Sequence, residues 1–222
     1  MPLSKTDSNR LEERRHTRRA SRRERTREEI LGAARTVLLE KGVGGTTLEA
    51  VANEAGMSKT ALYYYFPSKD ALLFDLIHAN FAAFAEDIHR AVELQPTGQD
   101  ALRTLIGTTV RRYAPNLDDF RLAYLQGQVA GHGAVRVGEE QMARIRPLNE
   151  LTYAGTAERV AAAGPNRAGV DPRLMAFLAH MAAIGVLTMK GMVESVDDPL
   201  AYTDDQLIDA LGAIFAAASA PQ

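Results

Sequence analysis

Residues Thr46–Lys69 read TTLEAVANEAGMSKTALYYYFPSK, and the fold turns on this stretch. Thr46 followed by Glu49 makes a capping box, which predicts a short helix through Val51, Ala52 and Ala55 that stops at Gly56. Ser58 then caps a second helix from Lys59 to about Tyr65, where Phe66-Pro67 ends it. The turn between them, Ala55-Gly56-Met57-Ser58, has a glycine where the chain needs a positive φ. Val51, Ala55, Met57 and Leu62 are spaced to pack the helices on each other, and Ala52 is small enough for close approach. Two short helices so joined make a helix-turn-helix, whose second helix enters the DNA major groove. The same spacing also suits a small core helix pair carrying exposed tyrosines.

The polar residues fit the groove reading. Ser58, Lys59 and Thr60 open the second helix, where base edges are read. Tyr63, Tyr64 and Tyr65 cannot all point into a core, so two of them present hydroxyls outward, able to bond phosphate oxygens. Lys69 stands at the start of the next helix, where its charge and the free N–H groups suit another phosphate. Thr46 or Thr47 is placed for a similar contact.

Outward from this stretch the periodicity is helical and no run alternates as a strand does. Upstream, Thr26 with Glu29 predicts a capped helix carrying Ile30, Ala33, Ala34, Val37 and Leu38, stopped by Gly42. Downstream, Ser68 caps a helix to about Leu94, and further helices are expected at about 100–113 and from Asn116 onward. Gly131 to Gly138 reads as a loop, followed by a helix to about Ala163 with a kink expected at Pro147. Asp171-Pro172 opens a helix of about 172–194, and Thr203 with Gln206 opens the last, about 203–219. The expected fold class is all-α with about nine helices: residues 1–25 a basic flexible or nascently helical arm, 26–68 a helix-turn-helix domain, and 69–222 a second helical domain.

Total charge is a poor guide here. The chain of 222 residues has a net charge of −2 and 46% hydrophobic residues. Residues 1–25 carry nine basic and four acidic side chains, whereas residues 81–222 carry twelve and seventeen. Positive charge therefore sits at one end, as in a chain that meets phosphates there and something else elsewhere. Zero cysteines exclude a disulfide framework, a thiolate zinc site and a cysteine nucleophile. The first 25 residues lack the apolar run of a signal peptide, and the uncharged stretch Leu174–Met189 is shorter than a membrane span needs. A cytoplasmic protein without membrane partner is expected.

Residues 27–77 resemble the signature of the TetR family of bacterial transcriptional regulators. The matching residues are Ile30, Ala34, Leu38 and Gly42, then Thr47, Val51, Ala52, Ala55 and Gly56, then Ser58, Leu62, Tyr63, Phe66, Lys69, Leu72 and Leu73. The resemblance implies a three-helix DNA-binding head on a helical effector-binding and dimerisation domain, closing as a homodimer on a near-palindromic operator. It also implies that Thr47, Lys59, Tyr63, Tyr64 and Lys69 occupy positions that contact DNA. Position 60 is often glycine in the family, and Thr60 adds a side chain there. A ligand-responsive regulator, most often a repressor, is the function so implied, with double-stranded operator DNA and a small-molecule effector as partners.

The last two helices are apolar on wide faces and rich in Ala and Gly, so two copies can close a four-helix dimer interface. The middle helices are expected to line the effector pocket. The candidates are Phe81, Phe84, Tyr113, Phe120, Tyr124, Gln128, Met142, Tyr153, His180 and Met181, though each taken singly suits plain core or interface packing better than ligand contact. Tyr124 and Gln128, one turn apart, form the favoured polar pair. The basic arm is a candidate for phosphate or minor-groove contacts, with a solvated tail as the plain alternative. No cofactor, metal or catalytic residue is expected: Glu86-x-x-His89 is half of a di-iron motif with no second half, and Gly42–Gly45 lacks the strand and Lys-Ser/Thr of a phosphate loop. The rival reading is a helical enzyme or small-molecule carrier without sequence-specific DNA binding.

Overall fold

The computed structural model describes residues 5–125, 138–193 and 202–221, with side chains from residue 17 onward except at position 125. Among the described residues there are nine α-helices and no strand. They are α1 (Lys5–Gly45), α2 (Leu48–Glu54), α3 (Lys59–Tyr65), α4 (Lys69–Glu93), α5 (Gly98–Tyr113), α6 (Leu117–Phe120), α7 (Glu139–Ala162), α8 (Pro172–Val193) and α9 (Asp204–Ser219). A π-helical turn, Arg121–Leu125, prolongs α6. The chain divides into two compact units, Met1–Leu76 and Ile77–Gln222, and α4 runs through the boundary.

Helix ends follow local chemistry. Thr47, Ser58, Thr97 and Thr203 each accept a hydrogen bond from the backbone N–H three residues on. Ser68 Oγ and Asp171 Oδ1 do the same for α4 and α8. Each replaces one bond that the first turn of a helix lacks, worth about 1 kcal/mol. At Thr203 the box is complete, because Gln206 Oε1 accepts from the Thr203 N–H at 2.9 Å. Gly42 and Gly56 adopt φ of 66° and 64°, the left-handed region that side chains with a Cβ resist. At the end of α4, Arg159 donates to the carbonyls of Glu93 and Gln95, at 2.9 and 2.8 Å.

Three expectations need correction. The box at Thr26 is not used, because α1 begins at Lys5 and runs through it; the arginines and glutamates upstream are good helix formers and sustain the helix without an apolar face. The cap of α2 is Thr47, not Thr46, whose hydroxyl donates to the Gly42 carbonyl at 2.7 Å. The fifth helix starts at Gly98 rather than Asp100, since Thr97 is its cap. Gly98 is required there: an added Cβ would lie 2.6 Å from Val160 Cα, so the start of α5 presses directly on the backbone of α7.

In the first unit α2 packs on α1 and α3 on α2. Ile30, Ala34, Val37, Leu38, Val51, Ala52, Leu62 and Phe66 are buried, while Ala55 and Met57 are half-buried. Arg27 pairs with Asp75 and lies 4.6 Å over the Phe66 ring. In the second unit α5 is central, packed on α7, α8 and α9. Leu102, Leu105, Ile106 and Val110 of α5 are fully buried, joined by Phe84, Ile88, Ala176, Ala179, Ala183 and Leu187. By length and composition α8 is also apolar enough to cross a membrane, despite its short uncharged run, but its buried side belongs to this core.

Candidate DNA-binding face and effector core

The helix-turn-helix of the first unit is held from inside. Leu62 is fully buried, as are Val51 and Ala52. The turn is closed by bonds from Gly56 N–H to Asn53 O and from Met57 N–H to Ala52 O, at 3.1 and 2.9 Å. With Leu62 pointing inward, the helical period turns Thr60, Tyr63 and Tyr64 outward, while Ser58 and Lys59 are exposed because they open the helix, and all five are accessible. Tyr63 and Tyr64 keep 47% and 69% of their surface, and Tyr65 is half-buried edge-on to Tyr64. Thr47 is exposed at the start of α2. Lys59 Nζ lies 3.4 Å from Glu49 Oε2, an exposed pair that holds little energy and leaves the ammonium accessible. Lys69 is half-buried, its ammonium donating to the Val43 carbonyl, with two further donors remaining.

Thr46 does not belong on this face. It is fully buried with its hydroxyl bonded, so the capping role and the exposed position both pass to Thr47. A contact invisible to periodicity appears instead: the Arg23 guanidinium carbon lies 5.3 Å from the centroid of the Tyr64 ring.

In the second unit six of the expected effector residues converge from five elements. Phe84 of α4, Tyr113 of α5, Phe120 and Tyr124 of α6 and its π turn, Tyr153 of α7 and His180 of α8 form one aromatic cluster. Ring centroids of successive members lie 5.2–6.0 Å apart. Phe81 stacks on Phe84 at 6.3 Å. His180 is the polar hub, with Nε2 3.0 Å from the Tyr124 hydroxyl and Nδ1 2.7 Å from that of Tyr153. Tyr113 donates to Asn80 Oδ1 at 3.2 Å. Burial lowers the His180 pKa to about 4, so the ring is neutral near pH 7. Burial raises the Tyr153 hydroxyl to about 12 and pushes Tyr113 and Tyr124 up as well. The cluster is therefore polar but uncharged.

Two candidates fall away from it. Met181 is 37% exposed, because the helix turns it away from its buried neighbour His180. Met142 is half-buried near the start of α7 and does not join the core. Gln128, the expected partner of Tyr124, lies outside the described residues. The partner that Tyr124 does have, His180, sits 56 positions away, beyond any spacing rule. Thr156, one turn from Tyr153 on α7, is fully buried with no hydrogen-bond partner for its hydroxyl among the described residues, a feature no motif announces. Among the described residues no group of three His, Asp or Glu is placed to hold a metal.

Comparison with known proteins agrees with this geometry. Residues 30–76 match the family described as "Bacterial regulatory proteins, tetR family". The HTH-type transcriptional regulator RutR of Escherichia coli (strain K12) is 46% identical over 65 residues, covering 26% of this chain and 31% of the relative. The chain thus spans about a third of the length of that relative. Among solved structures, the transcriptional regulator FadR from Bacillus subtilis in complex with stearoyl-CoA superposes with a TM-score of 0.68 at 18% identity, over 86% of this chain and 98% of that one. AibR in complex with isovaleryl coenzyme A and operator DNA does so with a TM-score of 0.62 at 19% identity, over 87% and 99%. At those identities the likeness is one of fold alone. Over residues 30–76, then, the chain carries a segment that matches the family described as bacterial regulatory proteins of the tetR family.

Proposed function

We propose that this protein is a ligand-responsive transcriptional regulator, a cytoplasmic repressor that binds a near-palindromic operator as a homodimer and leaves it when a small molecule binds. One observation carries the reading: α3 is anchored by Leu62 and leaves Ser58, Lys59, Thr60, Tyr63 and Tyr64 exposed along its start and outer side. Lys59 and Thr60 read base edges, while Thr47, Ser58, Tyr63, Tyr64 and Lys69 hold phosphates. Tyr65, half-buried against Tyr64, sets the packing of that ring.

The homodimer closes through α8 and α9. Leu174, Phe177, Leu178, Met181, Met189 and Met192 form an exposed apolar stripe along α8, and Ile214 of α9 is 63% exposed. Such a stripe on paired helices supports a two-fold four-helix interface.

The effector enters the aromatic cluster around His180, where an apolar wall with few hydrogen-bonding groups suits a small ligand. Phe84 belongs to both the cluster and α4, the helix that begins at Lys69. An effector that displaces Phe84 tilts α4 and with it the spacing of the two reading heads. A coupling of about 1–3 kcal/mol lowers operator affinity by about 5–150-fold. No catalysis is part of this reading.

Selection of operator sequences from random duplexes tests the DNA reading, followed by a metabolite screen for release of the selected DNA. Acyl-CoA thioesters, which the two solved neighbours hold, head the screen. Only weak, unselective and salt-sensitive binding would support the enzyme or carrier reading instead. An effector that binds without changing operator affinity refutes the switch.

A further inference from the structure

We propose that Arg19, Arg22 and Arg23 of α1 form, with Tyr64 of α3, a second DNA-contact surface that grips the sugar–phosphate backbone beside the reading helix. The proposal rests on the DNA-binding reading of α3 and extends it to residues outside the segment 30–76 that matches the family.

The three arginines stand at i, i+3 and i+4 on α1, so one helical face carries all of them. Each is exposed. With Ala20, Tyr64 and Tyr65 they line an open cleft of about 510 Å³ between the N-terminal part of α1 and α3, and none of the described side chains that line it is acidic. Three guanidinium groups within about one helical turn repel one another, and an anion between them relieves that repulsion. Arg23 lies over the Tyr64 ring, 5.3 Å from its centroid. It thereby ties the cleft to the face that meets DNA, and the planar groups are held ready for phosphate oxygens.

Spacing limits how many phosphates the cleft engages. From Arg19 to Arg23 the helix rises about 6 Å, while phosphates of one DNA strand advance about 3.4 Å along the duplex axis. Two successive phosphates fit this span. Each contact contributes about 0.9 to the slope of log affinity against log salt. Two contacts per head then amount to about 1.8, and a dimer on a two-fold operator to about 3.6.

The test compares the full chain with the triple variant Arg19→Ala/Arg22→Ala/Arg23→Ala on an operator selected by the unaltered protein and on a random duplex. Alanine is the strongest helix former, so α1 is kept, and far-UV circular dichroism checks it. The expected result is a salt slope shallower by about 3.6, so that raising salt from 50 to 200 mM costs the variant roughly 100-fold less affinity. Operator and random duplex weaken alike, because phosphates carry no sequence information.

An unchanged slope overturns the proposal, as does a loss confined to the operator. The control Arg18→Ala/Arg25→Ala removes two exposed arginines that do not line the cleft. If it flattens the slope as much as the triple variant, the contact is not at this cleft. Failure of the unaltered protein to select any operator strikes the reading of α3 instead; a slope that still flattens on random duplex then leaves the backbone contact standing.

Discussion

Acidification should unfold the second unit through His180, in advance of any general loss of ion pairs. In the native chain the ring lies between the hydroxyls of Tyr124 and Tyr153, stacked at 5.2 Å on Phe84, and burial lowers its pKa to about 4. A neutral imidazole has one donor and one acceptor nitrogen, so one tyrosine donates to it and the other accepts. Protonation turns both nitrogens into donors, and one hydroxyl must then reverse inside a packed cluster.

Because the unfolded histidine titrates near 6.5, the unfolded state binds more protons than the native state between pH 6.5 and 4. Stability is thus full above pH 6.5 and falls as pH drops through that window. With those two pKa values the loss is about 2 kcal/mol at pH 5 and about 3 kcal/mol at pH 4. Urea unfolding at fixed protein concentration, at pH 7.5, 6.5, 5.5 and 5.0, measures it. His180→Gln keeps a donor and an acceptor but cannot titrate, so it serves as reference for every other acid-sensitive group. The stability difference between the two proteins should shift by about 2 kcal/mol between pH 7.5 and 5.0. A difference that stays flat within about 0.5 kcal/mol would mean the ring is solvated or already protonated, and the argument for a neutral hub fails. The same titration followed by NMR should show the His180 ring still neutral at pH 5.5.

Other perturbations separate the remaining claims. Lys59→Ala should cost about 1–3 kcal/mol of operator affinity, read by fluorescence anisotropy, with little change in folding stability because its pair with Glu49 is exposed. Thr156→Val removes a buried hydroxyl that has no partner and should raise the urea midpoint, by about 1 kcal/mol in stability; a lower midpoint would reveal a partner in solution. Gly98→Ala sets a methyl group against the Val160 backbone and should destabilise the second unit by about 1–3 kcal/mol in the same assay. Leu178→Glu places a charge in the apolar stripe of α8 and should shift sedimentation from dimer to monomer; an unchanged dimer would move the interface elsewhere.

The helix-turn-helix was legible because its signals are local. Ser58 caps α3 through the N–H three residues on, Gly56 supplies the positive φ of the turn, and Leu62 falls on the inward face by helical period. None of these needs a distant residue. The same logic placed α4, α8 and α9 within a residue or two. It failed where two adjacent residues competed for one role. Thr46 and Thr47 both suit a cap, and the choice went to Thr47 because Gly42, in its left-handed conformation, leaves a carbonyl for the Thr46 hydroxyl.

The amino-acid sequence alone therefore determined an all-α chain with a helix-turn-helix of stated boundaries and a basic end, since capping, periodicity and charge act over a few residues. Only the tertiary structure decided that the basic end sets Arg23 on Tyr64, 41 positions away. It alone brought His180 between Tyr124 and Tyr153, made Met181 an outward residue, and left Thr156 buried without a partner among the described residues. The physical reason is common to all four. An aromatic or polar residue on a helix declares which face it lies on, but its neighbour across the core is chosen by packing several helices at once.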